Sequence, residues 1–398
     1  MASSTLVFSK KLKEGIYRGA LLINPDVGLE IPFNFEVIYQ NRKPKIIIRN
    51  ADERIVVDEI QLKGDSLFFK MPVFDTEFKC KIMGDSIEGQ WINHYRTTKN
   101  FISFNAQYND NRRFLFVPGK TNPMFEGKWE VTFSPGLKDS SKAIGIFKHL
   151  EQTDYVTGTF LTETGDYRYL EGMRSGNKLF LSCFDGSHAY LFEAELINDM
   201  LEGTFYSGAH YSEKWKGIRN DEYKLRDAEE ITYLKNNDEP IDFTFPDLNN
   251  KMVSLSDAAF KGKPVIIQLM GTWCPNCLDE SRYFSELFSH YHKDGLEIIA
   301  LAFEKTEDAE KARKQVLRLK ERLTIDYTLL VTSRTGKDKA AAIFPFINEV
   351  SAFPTAFFLN KQHQVVKIHT GFSGPATGQE YVKYKERTEN LINVLIRD

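Results

Sequence analysis

Cysteine is scarce in this chain: Cys80, Cys183, Cys274 and Cys277 are the four among 398 residues. So few exclude a small scaffold held together by disulfides. Long apolar runs are also lacking. The longest, such as 265–270 and 296–303, fall far short of the ~18 residues a spanning helix needs and suit buried strands instead. An excess of one charge is missing too. The 52 Lys and Arg against 55 Asp and Glu leave −3, which argues against a phosphate-neutralising nucleic-acid binder. Residues 1–15 lack the continuous apolar core of a secretory signal. Two expectations stand for that end: a cytoplasmic protein, or one whose signal has been replaced by a starter Met. What the chain has in plenty is aromatic residues, 31 Phe and 17 Tyr, which fit pleated β surfaces. The length suits two or three domains at roughly 150 residues each.

An internal repeat organises the first half. Gly15-Ile16-Tyr17 matches Gly127-Lys128-Trp129, Gly64 matches Gly176, Phe74-Asp75 matches Phe184-Asp185, and Glu88-Gly89 matches Glu202-Gly203. The steady offset points to a duplication. Short alternating runs such as Phe33-Asn34-Phe35-Glu36-Val37 read as half-buried strands. Gly64-Asp65, Gly84-Asp85, Gly176-Asn177 and Asn198-Asp199 supply hairpin turns between them. The expectation is an antiparallel sandwich or barrel in two related parts, residues 1–105 and 106–225, which could form one domain. A charged stretch, 226–238, precedes Pro240 and is the expected linker. From 239 to 398, apolar runs at 265–269, 296–303, 327–331, 355–359 and 365–369 alternate with helical patterns at 275–290, 306–322 and 380–396. That alternation predicts an α/β layer.

Chemistry concentrates at Cys274-Pro275-Asn276-Cys277. Two cysteines at this spacing can form a reversible disulfide or supply half a zinc site. Zinc needs four ligands, and no second closely spaced Cys or Cys-His pair exists; His290 and His292 fall on different helix faces. The strand at 265–269 leads through Gly271-Thr272-Trp273 into a helix starting near Cys274. Unpaired N–H groups and the positive end of the helix dipole there stabilise a thiolate. Pro275 suits the first helical turn, and Cys277 lies one turn deeper, within reach to resolve a mixed disulfide. A pair of inert, buried cysteines is the structural alternative.

Residues 240–398, about two-fifths of the chain, resemble the thioredoxin-fold thiol–disulfide oxidoreductases of the TlpA/ResA type. The stretches that carry the resemblance are FTFPDLNNKMVSL (243–255), KGKPVIIQLMGTWCPNCLDE (261–280) and FPTAFFL (353–359). It implies Cys274 as the attacking thiol, Cys277 as the resolving one and Pro354 as the cis-proline opposite them. Trp273, Phe353 and Pro354 would then bind substrate. Glu280 would serve as the acid–base group beside Cys277, against the simpler view of Glu280 as a solvated helix residue. Two departures stand out. Gln268 replaces the buried aspartate of classical thioredoxins, so Glu280 would act alone. Asn276 replaces the proline that many relatives have there, which leaves the direction of electron flow open.

Elsewhere, Cys80 and Cys183 read as small buried hydrophobes, with a disulfide between them as the alternative. His188, His210 and Glu213 lie in polar stretches that suit turns or, alternatively, a ligand or metal pocket. Trp91, Trp129 and Trp215 read as core. The expected function is reduction of protein disulfides by a Cys274/Cys277 dithiol. No other cofactor and no metal are expected, and another protein would supply electrons. A thiol peroxidase of the peroxiredoxin kind is one alternative. A redox-switched binding protein, whose β region holds an unknown ligand or partner, is another. The resemblance places such a protein in the periplasm or cell envelope of a bacterium; the cytoplasm is the alternative.

Overall fold

The computed structural model describes residues 11–115, 125–150, 153–235 and 241–398. The chain divides into two compact units: residues up to 159 together with 169–223, and residues 160–168 together with 224–398.

The first unit is all β. Strands β1 (Gly15–Asn24), β2 (Leu29–Gln40), β3 (Lys43–Asn50) and β4 (Glu53–Val57) are followed by β5 (Ile60–Lys63) and β6 (Ser66–Lys70). Then come β7 (Thr76–Met83), β8 (Ser86–Asn93) and β9 (Phe101–Tyr108). They form one antiparallel sheet in the order β4-β3-β2-β1-β9-β8-β7-β6-β5. The second sheet repeats the plan with β10 (Gly127–Phe133), β11 (Ser141–His149), β12 (Tyr155–Thr162), β13 (Gly165–Asp166) and β14 (Leu170–Ser175). Its remaining strands are β15 (Lys178–Phe184), β16 (Ala189–Ile197), β17 (Met200–Ser207) and β18 (Tyr211–Arg219). Here β11 also pairs with β12, so the sheet closes into a barrel, whereas the first keeps β4 and β5 as its edges.

The duplication is visible in the pairing. β1 lies between β2 and β9 as β10 lies between β11 and β18. Gly89 sits opposite Cys80, and Gly203 sits opposite Ala194. Ala194 is therefore the structural counterpart of Cys80, whereas matching Phe74 with Phe184 in the sequence sets Tyr190 opposite Cys80. The second repeat's β15 and β16 are longer than β6 and β7, and this shifts the register between Phe184 and β16. The alternation of β7 buries Phe78, Cys80 and Ile82 on one face. β15 is buried on both faces. Its Ser182 hydroxyl donates to the Pro32 carbonyl at 2.6 Å, and the Phe184 ring stacks on Phe33 at 4.6 Å. Trp91, Trp129 and Trp215 are core residues.

The second unit is α/β. A small hairpin, β19 (Thr244–Pro246) and β20 (Met252–Ser254), precedes β21 (Val265–Met270), β22 (Glu297–Ala302) and β23 (Thr328–Val331). Strands β24 (Thr355–Leu359) and β25 (Val365–Thr370) complete a sheet of order β23-β22-β21-β24-β25. β21, β22 and β23 are parallel, and β24 runs antiparallel to both of its neighbours, β21 and β25. β21, β22 and β24 are buried throughout, as unbroken apolar runs require. Helices α1 (Pro275–Tyr291), α2 (Ala309–Leu323), α3 (Gly336–Ala341) and α4 (Gln379–Arg397) accompany the sheet. This is the thioredoxin-like layer expected from the sequence. Among the described residues no helix is long and apolar enough to cross a membrane.

Two features of this unit depart from expectation. Residues 226–235 are not a free linker. Ile231 and Thr232 are buried, the Thr370 N–H donates to the Ala228 carbonyl at 3.0 Å, and the Lys235 N–H donates to the Phe346 carbonyl at 2.6 Å. An apolar side chain inside the charged stretch anchors it. The expected boundary residue, Pro240, lies outside the described residues. The second departure is the hairpin 160–168, which in sequence interrupts the β region yet belongs to the α/β unit.

Candidate active site

The site is built on the turn from β21 into α1. β21 is fixed in the middle of the sheet, so its C-terminal end presents Gly271, Thr272 and Trp273 at one place. A Cβ on Gly271 would lie 2.2 Å from the Trp273 indole nitrogen, so only glycine lets the ring fold back. Trp273 Nε1 donates to the Phe303 carbonyl at 2.9 Å, and the Lys305 ammonium lies 3.9 Å from the ring centroid. Thr272 is held by a buried carboxylate: its N–H and hydroxyl donate to the two oxygens of Glu304 at 2.9 and 2.7 Å. Burial outweighs these bonds and pushes the Glu304 carboxyl up to about 7.

Cys274 is the N-cap of α1, and Pro275 takes the first helical position. The Cys277 N–H donates to Cys274 Sγ at 3.2 Å, so the cap itself is a sulfur. Cys274 is 7% exposed and Cys277 is fully buried. Cys274 Sγ also lies 3.5 Å from the Phe353 carbonyl oxygen, and the Phe353–Pro354 peptide is cis. The Phe353 ring meets Trp273 edge-on at 5.9 Å and stacks on Phe303 at 5.5 Å. The structure therefore brings Cys274, Cys277, Trp273, Phe353 and Pro354 together.

Glu280 lies behind the sulfurs and is fully buried, which removes the solvated-helix alternative. Gln268 Nε2 donates to its Oε2 at 2.8 Å, and the Ser281 hydroxyl donates to Gln268 Oε1 at 3.3 Å. Glu280 Oε1 and the Tyr384 hydroxyl are both buried without a well-formed hydrogen bond. Burial pushes the Glu280 carboxyl up to about 8, against weaker downward pulls from Gln268 and Tyr384. Burial likewise raises the Cys277 thiol far above its usual range, with Cys274 and the charge of Glu280 adding to it. An acid and a thiol, each reluctant to ionise, are thus buried together, and the charge of Glu280 bears on the Cys277 thiol.

Sequence reasoning missed Glu304, Asp279 and the hairpin 160–168. In sequence Glu304 opens a charged stretch that runs to Arg322 and suits a solvated helix face, yet just past the end of β22 it is buried. Asp279 is buried and ion-paired with Arg168 and Arg282. Arg168 lies 111 positions upstream of Asp279, so no local pattern could have announced it.

The other marked residues are not brought to this site. Cys80 and Cys183 are buried thiols of the first unit, where burial pushes the Cys80 thiol up to about 12. His188 stacks on Tyr190 at 4.9 Å and lies 3.4 Å from Asp185. His210 contacts Arg96 at 2.7 Å, and burial together with that cation depresses it to about 4. Glu213 accepts from the Ser134 hydroxyl. Among the described residues no group of three or more His, Cys, Asp or Glu could hold a metal.

Comparison with known proteins adds a family to this geometry. Residues 237–368 match the AhpC/TSA family. The thiol-disulfide oxidoreductase ResA of Bacillus thuringiensis subsp. konkukian is 32% identical over 141 residues, which is 35% of this chain and 73% of the relative. ResA of Bacillus subtilis is 30% identical over 130 residues, 32% of this chain and 64% of the relative. Among solved structures, a putative thiol:disulfide interchange protein DsbE from Chlorobium tepidum is 20% identical. It covers 41% of this chain and 99% of its own, with a TM-score of 0.33.

Proposed function

The chain belongs to the family of the ResA thiol–disulfide oxidoreductases, and on that footing we propose that it reduces protein disulfides through Cys274 and Cys277. The observation that carries this reading is the Cys274 sulfur at the start of α1, bonded to the Cys277 N–H beside the Phe353 carbonyl. The Cys274 thiolate attacks one sulfur of a substrate disulfide. That S–S bond breaks, the second substrate sulfur leaves as thiolate and takes up a proton, and a mixed disulfide forms. Glu280 in its carboxylate form takes the Cys277 proton. Cys277 then attacks Cys274 Sγ, and the substrate leaves with both electrons as a dithiol. The protein is left with a Cys274–Cys277 disulfide, which a second protein must reduce. The dithiol is the whole redox group, with no added cofactor.

Trp273, Phe353 and Pro354 form the substrate side, where the Phe353 backbone can pair with an extended chain. Peroxiredoxins favour a Thr or Ser three positions before the cysteine, whereas Thr272 lies two before Cys274 and its hydroxyl is taken by Glu304, so the peroxidase alternative loses ground. The cell envelope is the proposed location, on the strength of the family. The test is Cys277→Ala in the full chain, presented with oxidised protein substrates. Mixed disulfides should accumulate on Cys274 and vanish with reductant; no adduct at Cys274 would defeat the proposal.

A further inference from the structure

Both residues between the two cysteines are held by one hairpin. Residues 160–168 turn back on themselves, with Leu161 paired to Asp166 and Thr162 to Gly165. Arg168 Nη1 donates to the Pro275 carbonyl at 3.3 Å. Asn276 Nδ2 donates to the Asp166 carbonyl at 3.2 Å. Arg168 also forms a buried ion pair with Asp279, one turn along α1. Asp166 is fixed in its turn: Oδ1 accepts from the Arg168 N–H at 2.7 Å, and Oδ2 accepts from the Gly374 N–H at 2.6 Å. The fit is tight. A Cβ on Gly165 would lie 2.1 Å from Asn276 Nδ2, and one on Gly371 would lie 2.6 Å from the Thr164 carbonyl carbon.

A guanidinium 3% exposed is costly to desolvate unless paired. Its partners include the motif's own backbone and the carboxylate beneath it. We infer that Arg168 and Asp166 are positioning residues that set the dithiol–disulfide equilibrium of Cys274 and Cys277 through Pro275 and Asn276. The inference rests on the proposed redox role of that pair. Closing the disulfide removes two electrons and two protons, passes them to the substrate, and draws Sγ of Cys274 away from the Cys277 N–H. The backbone between the cysteines must follow. A clamp on that backbone favours the dithiol, and so does a cation at the Pro275 carbonyl, which stabilises sulfur in its anionic form. Without Arg168, Asp279 keeps Arg282, whose side chain is half exposed. The less fully compensated negative charge then disfavours the thiolate further.

The experiment measures the midpoint potential of the full chain by thiol-trapping mass spectrometry in glutathione buffers. Arg168→Met should shift the equilibrium toward disulfide about tenfold, a midpoint about 30 mV lower. Arg168→Lys keeps the charge without the fork and should recover part of that shift. Asn276→Ala, on a half-buried residue of the first helical turn, should shift the same way by a smaller factor. It decides the matter alone if the Arg168 variants do not fold. A parent pair that does not titrate overturns the oxidoreductase proposal itself. A parent that titrates, with variants within twofold of it or displaced toward the dithiol, overturns this inference and leaves that proposal standing.

Discussion

Gln268 Nε2 donates to Glu280 Oε2 across 2.8 Å, and both side chains are wholly buried. A neutral amide therefore faces a carboxyl that resists ionisation. Because burial raises the folded-state value from 4.5 to about 8, this group's contribution to stability is complete below about pH 4.5. It is lost as pH rises toward 8, by up to about 1.4 kcal/mol per pH unit. Glu280→Gln retains an acceptor for Gln268 and abolishes that slope. We expect the variant to melt above the parent at pH 8 and near it at pH 5. Release of the mixed disulfide by Cys277 should slow by about a hundredfold or more. Thermal melts at both pH values, with stopped-flow kinetics, check both halves; a parent-like pH slope would count against the assignment.

Glu304 supports the turn ahead of Cys274. Removing it in Glu304→Ala leaves the Thr272 N–H and hydroxyl without their acceptor, at a cost of about 1–3 kcal/mol. The Glu304 value is also raised, from 4.5 to about 7, so its stabilising contribution is complete below about pH 4.5 and fades as pH rises through 7. The loss in the variant should accordingly be larger at pH 5 than at pH 8. Urea unfolding at the two pH values measures the difference, and an equal loss at both would refute it.

Gly89 and Gly203 occupy equivalent places in the two repeats. A Cβ there would lie 2.2 Å from the Lys79 carbonyl oxygen or 2.1 Å from that of Glu193. Neither backbone oxygen can move without disturbing its strand. Gly89→Ala and Gly203→Ala should each destabilise by about 2 kcal/mol or more. Urea midpoints would show it, and a neutral effect at either position would mean the strands yield more readily than their packing suggests.

Arg113 knits the β unit together. Its guanidinium donates to Ser182 Oγ at 2.8 Å and to the Arg49 carbonyl and Asn50 Oδ1, each at 3.0 Å, and pairs with Glu171 at 3.2 Å. Arg113→Met breaks a buried pair from one side, which costs about 3–5 kcal/mol. Arg113→Lys should recover less than half, since an ammonium lacks the planar fork. Calorimetry of both variants provides the measure.

The thioredoxin-like layer was legible because its signals are local: apolar runs for β21, β22 and β24, and a cysteine pair directly after a Trp at a helix start. The convergence of Phe353 and Pro354 on Cys274 followed from the resemblance, not from spacing. Closure of one β sheet and not the other was hidden, since it turns on a single pairing, β11 with β12. The anchoring of 226–235 was hidden by the charges that surround Ile231. Asp166, Arg168 and Asp279 were hidden by distance along the chain, because each looks like an ordinary surface charge until its partner is known.

The hairpin 160–168 makes the α/β unit discontinuous, and this bears on how the chain is assembled as it is synthesised. Asp166 meets Gly374 across 208 positions. Thus the hairpin is made early and waits for its last partner until the final strand, Val365–Thr370, has left the ribosome. Such long-range closure slows folding. A fragment cut at 223/224 would carry both cysteines but would leave Asp279 without its buried arginine and the Gly374 N–H without its acceptor. The thiols would then be present in a domain lacking part of its own packing.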